Sequence, residues 1–386
     1  MVPVRYNVRS LLVRKVTTIA TAGGIALVVF VFAAAQMLGE GAERAMLSSG
    51  RDDTVIILRK GSDAELSSGI GNDYKKLGDL PQVAQVGDSK AIGEVVIVIT
   101  AELADGSGGL SNVLVRGMPS DGIAFRPEVK IVGGRAPKPG TNEVIVGKSI
   151  SGRFKGVGPG QSFELRRGRP LQVVGEFTAG GSSYESEVWG DLDVIRQSLG
   201  RESGVSSVRV RLTSASQFDA YRTAVEADKI FSVKAMRERD YYQKQAEGTG
   251  TFLTIMGTMI AILFSLAAML GAAITMNGAV ANRTKEIGTL RALGFSRLSI
   301  LVSFVLEAMF LALAGGAIGI VFVMLLSLVS FPVMNFQTFS EIVIGFRATP
   351  QIVIGSLIFS AVMGLIGGLF PAIRASRVSP VEAMRG

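Results

Sequence analysis

The sequence has no cysteine and no histidine among its 386 residues. Without cysteine there is no disulfide, no thiolate nucleophile, no thiolate-bound zinc and no iron–sulfur cluster. Without histidine there is no serine–histidine triad, no imidazole metal ligand and no imidazole pH switch. Any catalysis would fall to carboxylates, lysines or tyrosines. Charged residues are scarce as well, at 19%, and the scarcity is local. The stretches 16–39, 248–282, 308–340 and 348–373 carry no charged side chain at all. Each exceeds the roughly 18 apolar residues that a membrane crossing needs. The fold class expected is therefore an α-helical membrane protein with four transmembrane helices. A large extracytoplasmic α/β insert separates spans one and two.

The formal net charge is +8, which could suggest a nucleic-acid partner. Its placement argues otherwise. The excess comes from Arg5, Arg9, Arg14 and Lys15 at the start, from Arg283, Lys285, Arg291 and Arg297 after the second span, and from Arg374, Arg377 and Arg385 in the tail. The insert, 40–247, is neutral, with 28 basic and 28 acidic residues. Basic residues that flank spans set orientation, the basic side being cytoplasmic. Both termini and the 282–298 loop are thus expected inside, and the insert and the 332–350 loop outside. A basic start, an apolar run and Ala33–Ala35 also occur in signal peptides. This run is longer than a usual signal core, so it reads as a retained span.

These signals divide the chain as follows. Residues 1–15 form a basic amphipathic helix on the inner membrane surface, with Val4, Val8, Leu11 and Leu12 on one face. Spans are expected at 16–39, 251–281, 299–331 and 351–373. Between them lie the extracytoplasmic domain 40–250, a cytoplasmic helix in 282–298, an outer loop 332–350 and a tail 374–386. The 30 residues of Phe252–Ala281 would make about 45 Å of helix against about 30 Å of hydrocarbon. The excess reads as a stalk, which residues 237–247 could extend outward. In the insert, strand-like runs fall at Thr54–Leu58, Val95–Thr100, Asn112–Arg116, Glu143–Val146, Leu171–Val174 and Val205–Leu212, with alternation clearest in 206–212. Helical pieces are expected at Asp73–Leu80 and Ala215–Asp228. The pattern suggests an α/β lobe, about 50–122 with 205–240, interrupted by a β-rich lobe, about 125–200.

Few residues invite a chemical reading. Gly147-Lys148-Ser149 ends like a phosphate-binding loop, but the required first glycine would fall at position 142, which is Asn. No nucleotide site or metal site is expected in this chain. Glu307 lies about 12 Å along the third span from Ser299. A carboxylate there must face the bundle, a partner or water. Gly315 with Gly319, and Gly364 with Gly368, have the small-xxx-small spacing that lets membrane helices approach closely, within one subunit or between two. The loop NRTKEIGTLRALGFSRL, 282–298, carries an apolar stripe of Ile287, Leu290 and Leu293, with Lys285, Glu286, Thr289 and Arg291 beside it. Gly294 is placed to end the short helix. Such a helix suits a membrane surface or a groove on a partner.

RTKEIGTLRALGFSR (283–297) resembles the cytoplasmic signature of permeases of the MacB/FtsX/LolC type. The resemblance continues in LEAMFLALAGGAIG (306–319) and FPAIRASRVSPVEAMR (370–385). In the insert, GGRAPKPGTNEVIVG (133–147), GVGPGQSF (156–163) and VVGEF (173–177) look like the MacB-like periplasmic core domain. MacB itself carries a fused ATPase, which this chain does not, so the match is to stand-alone permeases such as LolC, LolE and the DevC-like exporters. The resemblance implies an ABC transporter permease subunit of the bacterial inner membrane, with its large domain in the periplasm. A separate ATPase subunit, with ATP and magnesium, would dock on Lys285, Glu286, Ile287, Leu290, Arg291, Leu293 and Gly294. A second permease copy would complete a homodimer, unless a paralogue takes its place. A periplasmic adaptor and an outer-membrane channel are further expected partners. The function implied is mechanotransmission for export. Lipoprotein or lipid extraction and signalling to a periplasmic partner are the alternatives.

Overall fold

The structure is a computed structural model, and it describes residues 15–200 and 203–379. All but Lys15 of the amphipathic helix expected at 1–15 lies outside the described residues, as do Arg385 and most of the tail. The chain divides into two compact units. One holds the residues up to Glu40, Phe252–Val329 and those from Phe346 onward, and the other holds Gly41–Thr251 and Ser330–Gly345.

Four helices are long and apolar enough to cross a membrane: α1 (Lys15–Leu47), α4 (Glu238–Asn282), α6 (Arg297–Leu326) and α7 (Pro350–Ser376). At 45 residues, α4 is about 68 Å long, more than twice the hydrocarbon thickness. It runs without a break from residue 238, so Gly248 and Gly250 do not interrupt it. The entry to α7 is fixed by Thr349, whose side chain accepts from Ile352 N, and by Pro350 at the first helical position.

Close helix approach in the membrane unit depends on the paired glycines. A methyl group on Gly315 would lie 2.6 Å from the Ala22 carbonyl oxygen, and one on Gly319 2.5 Å from that of Ala26. These two glycines seat α1 against α6. On α7, Gly364 and Gly368 face Ala312 and Ala308 of α6, where added methyls would come within 2.5 and 2.3 Å of the alanine methyls. Both pairs thus serve contacts inside one subunit. A further close approach, Gly257 of α4 against Ala35 of α1, was not singled out from sequence.

The outer unit is built on one mixed sheet of eleven strands. Its core path runs β11 (Val233–Arg237), β1 (Thr54–Arg59), β10 (Ser207–Leu212), β3 (Ala91–Glu102), β4 (Leu110–Met118), β9 (Glu187–Asp191), β6 (Glu143–Gly147), β8 (Arg169–Thr178) and β5 (Lys130–Gly134). Two short strands extend it, β2 (Val83–Ala84) on β10 and β7 (Ser162–Arg166) on β8. Pairs β4–β9 and β6–β8 are parallel and the rest antiparallel. Helix α2 (Leu192–Ser198) follows β9, capped by the Asp191 side chain. Helix α3 (Phe218–Ala227) buries Phe218, Tyr221 and Val225.

Every strand expected from sequence is present, but the two-lobe division shifts. β3 pairs through Ala91–Glu94 with β10 and through Val95–Glu102 with β4. The seam therefore falls inside β3 rather than near residues 122–125, and the sheet is continuous across it. The reason is strand length: twelve residues are enough to serve two neighbours in succession. The expected helix at Asp73–Leu80 is a 3-10 segment, Asn72–Gly78.

The loop expected at 332–350 is instead a hairpin, β12 (Ser330–Met334) with β13 (Glu341–Gly345), and the third span ends at Leu326 rather than 331. Its apolar residues continue past the helix because the hairpin packs on the outer unit. Glu341 accepts from Ser111 Oγ at 2.6 Å and pairs with Arg153. Asn112 Nδ2 donates to the Phe339 carbonyl at 2.8 Å, and Val343 N donates to Ser186 Oγ at 3.0 Å.

Candidate functional site

The segment between spans two and three is a short helix, α5 (Thr284–Ala292). Arg283, immediately after α4, is its N-terminal flanking residue, and its C-terminus closes in a Schellman turn. Gly294 takes φ +91, its N–H bonds to Arg291 O, and Phe295 N–H bonds to Leu290 O. A residue with a Cβ is strained at that φ, which is why glycine stands there. Ser296 then caps α6, accepting from Ser299 N at 3.1 Å. The Schellman turn and the Ser296 cap together fix the α5–α6 joint.

The apolar stripe of α5 faces inward. Ile287 is 2% exposed and packs in one cluster with Met276 and Val280 of α4, Ile300, Phe304 and Ala308 of α6, and Ala372 and Ala375 of α7. Leu290 is half-buried against the same cluster. Leu293, by contrast, is 72% exposed. The expectation that Ile287, Leu290 and Leu293 share one partner-facing stripe is therefore corrected. Residues three apart drift by about 60° per step, so Leu293 lies about 120° around the helix from Ile287. A nine-residue helix must also bury its apolar face against the spans to be held at all.

The outward face of α5 carries Lys285, Glu286, Thr289 and Leu293, all exposed. Exposed Arg297 and Leu298 follow at the start of α6. Arg291 is drawn in, donating from Nη1 to the Phe295 carbonyl at 2.9 Å, and so braces the Schellman turn. Beneath the helix sits a buried ion pair. Arg283 Nη1 lies 3.0 Å from Glu307 Oε2 and its Nε 3.4 Å from Glu286 Oε2. The guanidinium also lies over the Phe304 ring, 5.9 Å from its centre. Glu307 thus meets a cation from its own chain, the condition that makes a carboxylate tolerable at this depth.

A second concentration of buried charge occurs in the outer unit, and sequence reasoning missed it. Arg116, Arg126 and Arg209 are each no more than 1% exposed. Arg116 grips Glu187 with two bonds, of 2.7 and 2.8 Å, and reaches Glu65 at 3.0 Å and Glu94 at 2.7 Å. Arg126 pairs with Glu94 at 2.7 Å. Arg209 pairs with Glu65, Glu94 and, at 2.9 Å, with Glu238 in the first turn of α4. Tyr184 donates to the same Glu238 carboxylate at 3.0 Å, and Tyr241 accepts from Glu65 N–H at 3.2 Å.

Burial alone would raise the Glu65 carboxyl, but the guanidiniums of Arg116 and Arg209 outweigh it and hold that carboxyl well below the usual range. Glu94 is likewise pushed up by burial and held down overall by Arg126, Arg209 and Arg116. Burial pushes the phenols of Tyr184, Tyr241 and Tyr242 upward. Through Glu238 the cluster roots the start of α4 in the sheet.

Comparison with known proteins adds the family. Residues 18–228, more than half of the chain, match the MacB-like periplasmic core domain, and residues 258–380 match the FtsX-like permease C-terminal region. The uncharacterized ABC transporter permease YknZ of Bacillus subtilis (strain 168) is 26% identical over 99% of this chain and 98% of its own length. The macrolide export ATP-binding/permease protein MacB of Acinetobacter baylyi is 23% identical over 94% of this chain, which spans 55% of that protein. Among solved structures, the periplasmic region of MacB from Actinobacillus actinomycetemcomitans overlaps 52% of this chain and 95% of its own, at 12% identity and a TM-score of 0.37. The extracellular domain of YknZ overlaps 47% and 99%, at 18% identity and a TM-score of 0.36. The chain belongs to the MacB-like periplasmic core domain family. It is an ABC transporter permease of the MacB/FtsX type.

Proposed function

We propose that this permease couples ATP hydrolysis in a separate cytoplasmic ATPase to movement of its outer unit, in the service of export. The observation that carries the reading is the mounting of α5. Its stripe is sunk among α4, α6 and α7, and its charged and apolar outer face is exposed. A push on that face is delivered to three spans at once. One of them, α4, continues as an unbroken helix to Glu238 in the buried cluster of the outer unit. Lys285, Glu286, Thr289 and Leu293 make the contact, while Ile287, Leu290, Arg291 and Gly294 hold the helix that presents it. The ATPase supplies the site for ATP and magnesium.

The same reading places the protein in the inner membrane, with both termini and α5 cytoplasmic and the outer unit in the periplasm, because the basic residues gather at the α5 end. Two ATPase subunits call for two permease copies, and a homodimer is the simplest pairing. An adaptor and an outer-membrane channel complete the export route. The MacB relatives are named as macrolide exporters, which favours export over extraction or signalling.

Leu293→Asp tests the docking face. Seating an unpaired carboxylate in an apolar contact costs several kcal/mol, on the order of a hundredfold or more in affinity. The expected result is loss of co-purification with the cognate ATPase at unchanged expression and melting temperature, because Leu293 supports nothing inside the chain. Co-purification at wild-type stoichiometry would overturn the assignment.

A further inference from the structure

Near the α5 end of the membrane unit, the last turns of α4 and α7 stand apart around a cavity of about 630 Å³. Its walls differ in chemistry. Val280, Phe370 and Ile373 give it apolar sides, and Arg374 and Arg377 stand at its mouth. Among the described residues, no acidic side chain lines it. Among the described residues neither guanidinium is engaged in an ion pair. This contrasts with Arg283, which is doubly paired. On the α4 wall, Asn277 Oδ1 is buried and accepts no hydrogen bond. A buried amide oxygen without a donor is costly in a protein interior and more so at membrane depth.

These features ask for an amphipathic occupant. It must bring an anion for two arginines, a donor for an amide oxygen, and a hydrocarbon segment for the apolar walls. Phe370, 69% exposed, extends the apolar wall outward. We propose that the cavity seats an anionic phospholipid of the leaflet on the α5 side, of the phosphatidylglycerol class. Its phosphate sits between Arg374 and Arg377, a headgroup hydroxyl donates to Asn277 Oδ1, and the start of an acyl chain follows Phe370 and Ile373. A soluble phosphate would leave the apolar walls unused. The site requires only that α4 and α7 cross the membrane and does not depend on the ATPase reading.

The test is native mass spectrometry of the purified full-length permease, delipidated in detergent and re-exposed to palmitoyl-oleoyl phosphatidylglycerol, phosphatidic acid or phosphatidylcholine. An arginine beside an anionic lipid headgroup contributes about a fivefold change in affinity, so the wild type should prefer phosphatidylglycerol to phosphatidylcholine by about fivefold to twenty-fivefold. Arg374→Gln/Arg377→Gln should abolish that preference, and Lys285→Gln/Arg297→Gln, which removes equal charge from the same end, should keep it. Asn277→Leu should erase only the margin of phosphatidylglycerol over phosphatidic acid, whose headgroup has no glycerol hydroxyls. Equal loss in both charge variants would overturn the site in favour of general surface attraction. Displacement of bound phosphatidylglycerol by inorganic phosphate alone would overturn the lipid assignment.

Discussion

Helix α4 ends in buried charge at both extremities, and the two ends are built differently. At its start, Glu238 enters a cluster in which three guanidiniums serve four carboxylates, bonded from β3, β4, β9 and β10 and from the 3-10 turn at Glu65. Just past its other end, Arg283 meets Glu307, with Glu286 as a second partner at the rim. Each arginine of the outer cluster except Arg126 bridges several acids, so the loss of one contact leaves others. The membrane pair centres on one arginine, set in a tightly packed apolar cluster. The difference follows from what surrounds each end. A sheet can offer many side chains around one carboxylate, whereas spans facing hydrocarbon admit only as much charge as they neutralise. A buried network adds little net stability over apolar packing, but it strongly penalises any arrangement that strands one of its charges. Under load, such an anchor resists rotation of α4 more than an apolar contact of equal area would.

The largest effect should come from removing the hub of the outer cluster. Arg209→Met leaves Glu238 without its guanidinium and takes one of their partners from both Glu65 and Glu94. Breaking one buried pair costs about 3–5 kcal/mol, and three acids lose a partner here, against a total domain stability of about 5–15 kcal/mol. The outer unit should fail to fold, read as loss of protease resistance in the membrane-inserted chain. A protease-resistant outer unit with a native melting temperature would show that the cluster is dispensable.

The membrane pair should give a smaller and reversible effect. Glu307→Gln and Arg283→Met should each cost about 3–5 kcal/mol, because each leaves one ionised partner in a dry site. The double variant removes both charges and should recover most of that loss, giving a coupling energy of more than about 3 kcal/mol in the cycle. Thermal unfolding of the detergent-purified chain measures all three. Strict additivity would mean that the two side chains stabilise the unit independently.

The two regions also differ in how far the sequence discloses them. The spans, the α5 segment, the paired glycines and the stop at Gly294 are local signals: apolar runs, a residue spacing, a required φ. The outer cluster is not local. In SSVRVRL, alternation sets Val208 and Val210 against Arg209 and Arg211, and a strand with one wet face would turn both arginines to solvent. Arg209 is instead fully buried, because β10 is covered on both faces. Only the fold brings in Glu65, Glu94 and Glu238, which are far from it along the chain. The sole hint was an excess of Glu and Arg within otherwise strand-like runs, such as Glu94 before VVIVIT and Arg116 after NVLV. The hairpin β12–β13 escaped for the opposite reason. Its apolar residues extend the third span's own run, and only its packing on the outer unit separates the two.

The mildest probe of the comparison is acid. In the outer cluster Glu65 and Glu94 hold folded-state pKa values below the ordinary range, because their guanidinium partners outweigh burial. In the unfolded chain a glutamate titrates near about 4.3. Between the two values the unfolded state binds more protons, so stability rises with pH across that window and is fully present above it. As pH falls below about 4.3, each of the two carboxylates should withdraw at most about 1.4 kcal/mol per pH unit. Near pH 4 the combined loss is thus well under that of either arginine substitution. The melting temperature of the outer unit should be flat from neutrality down to about pH 5 and then decline. Glu65→Gln should melt lower near neutrality and decline with a shallower slope, since it removes one titrating carboxylate of the cluster. A slope unchanged by that substitution would place the acid sensitivity elsewhere and leave the cluster a packing feature whose charges do not set its pH dependence.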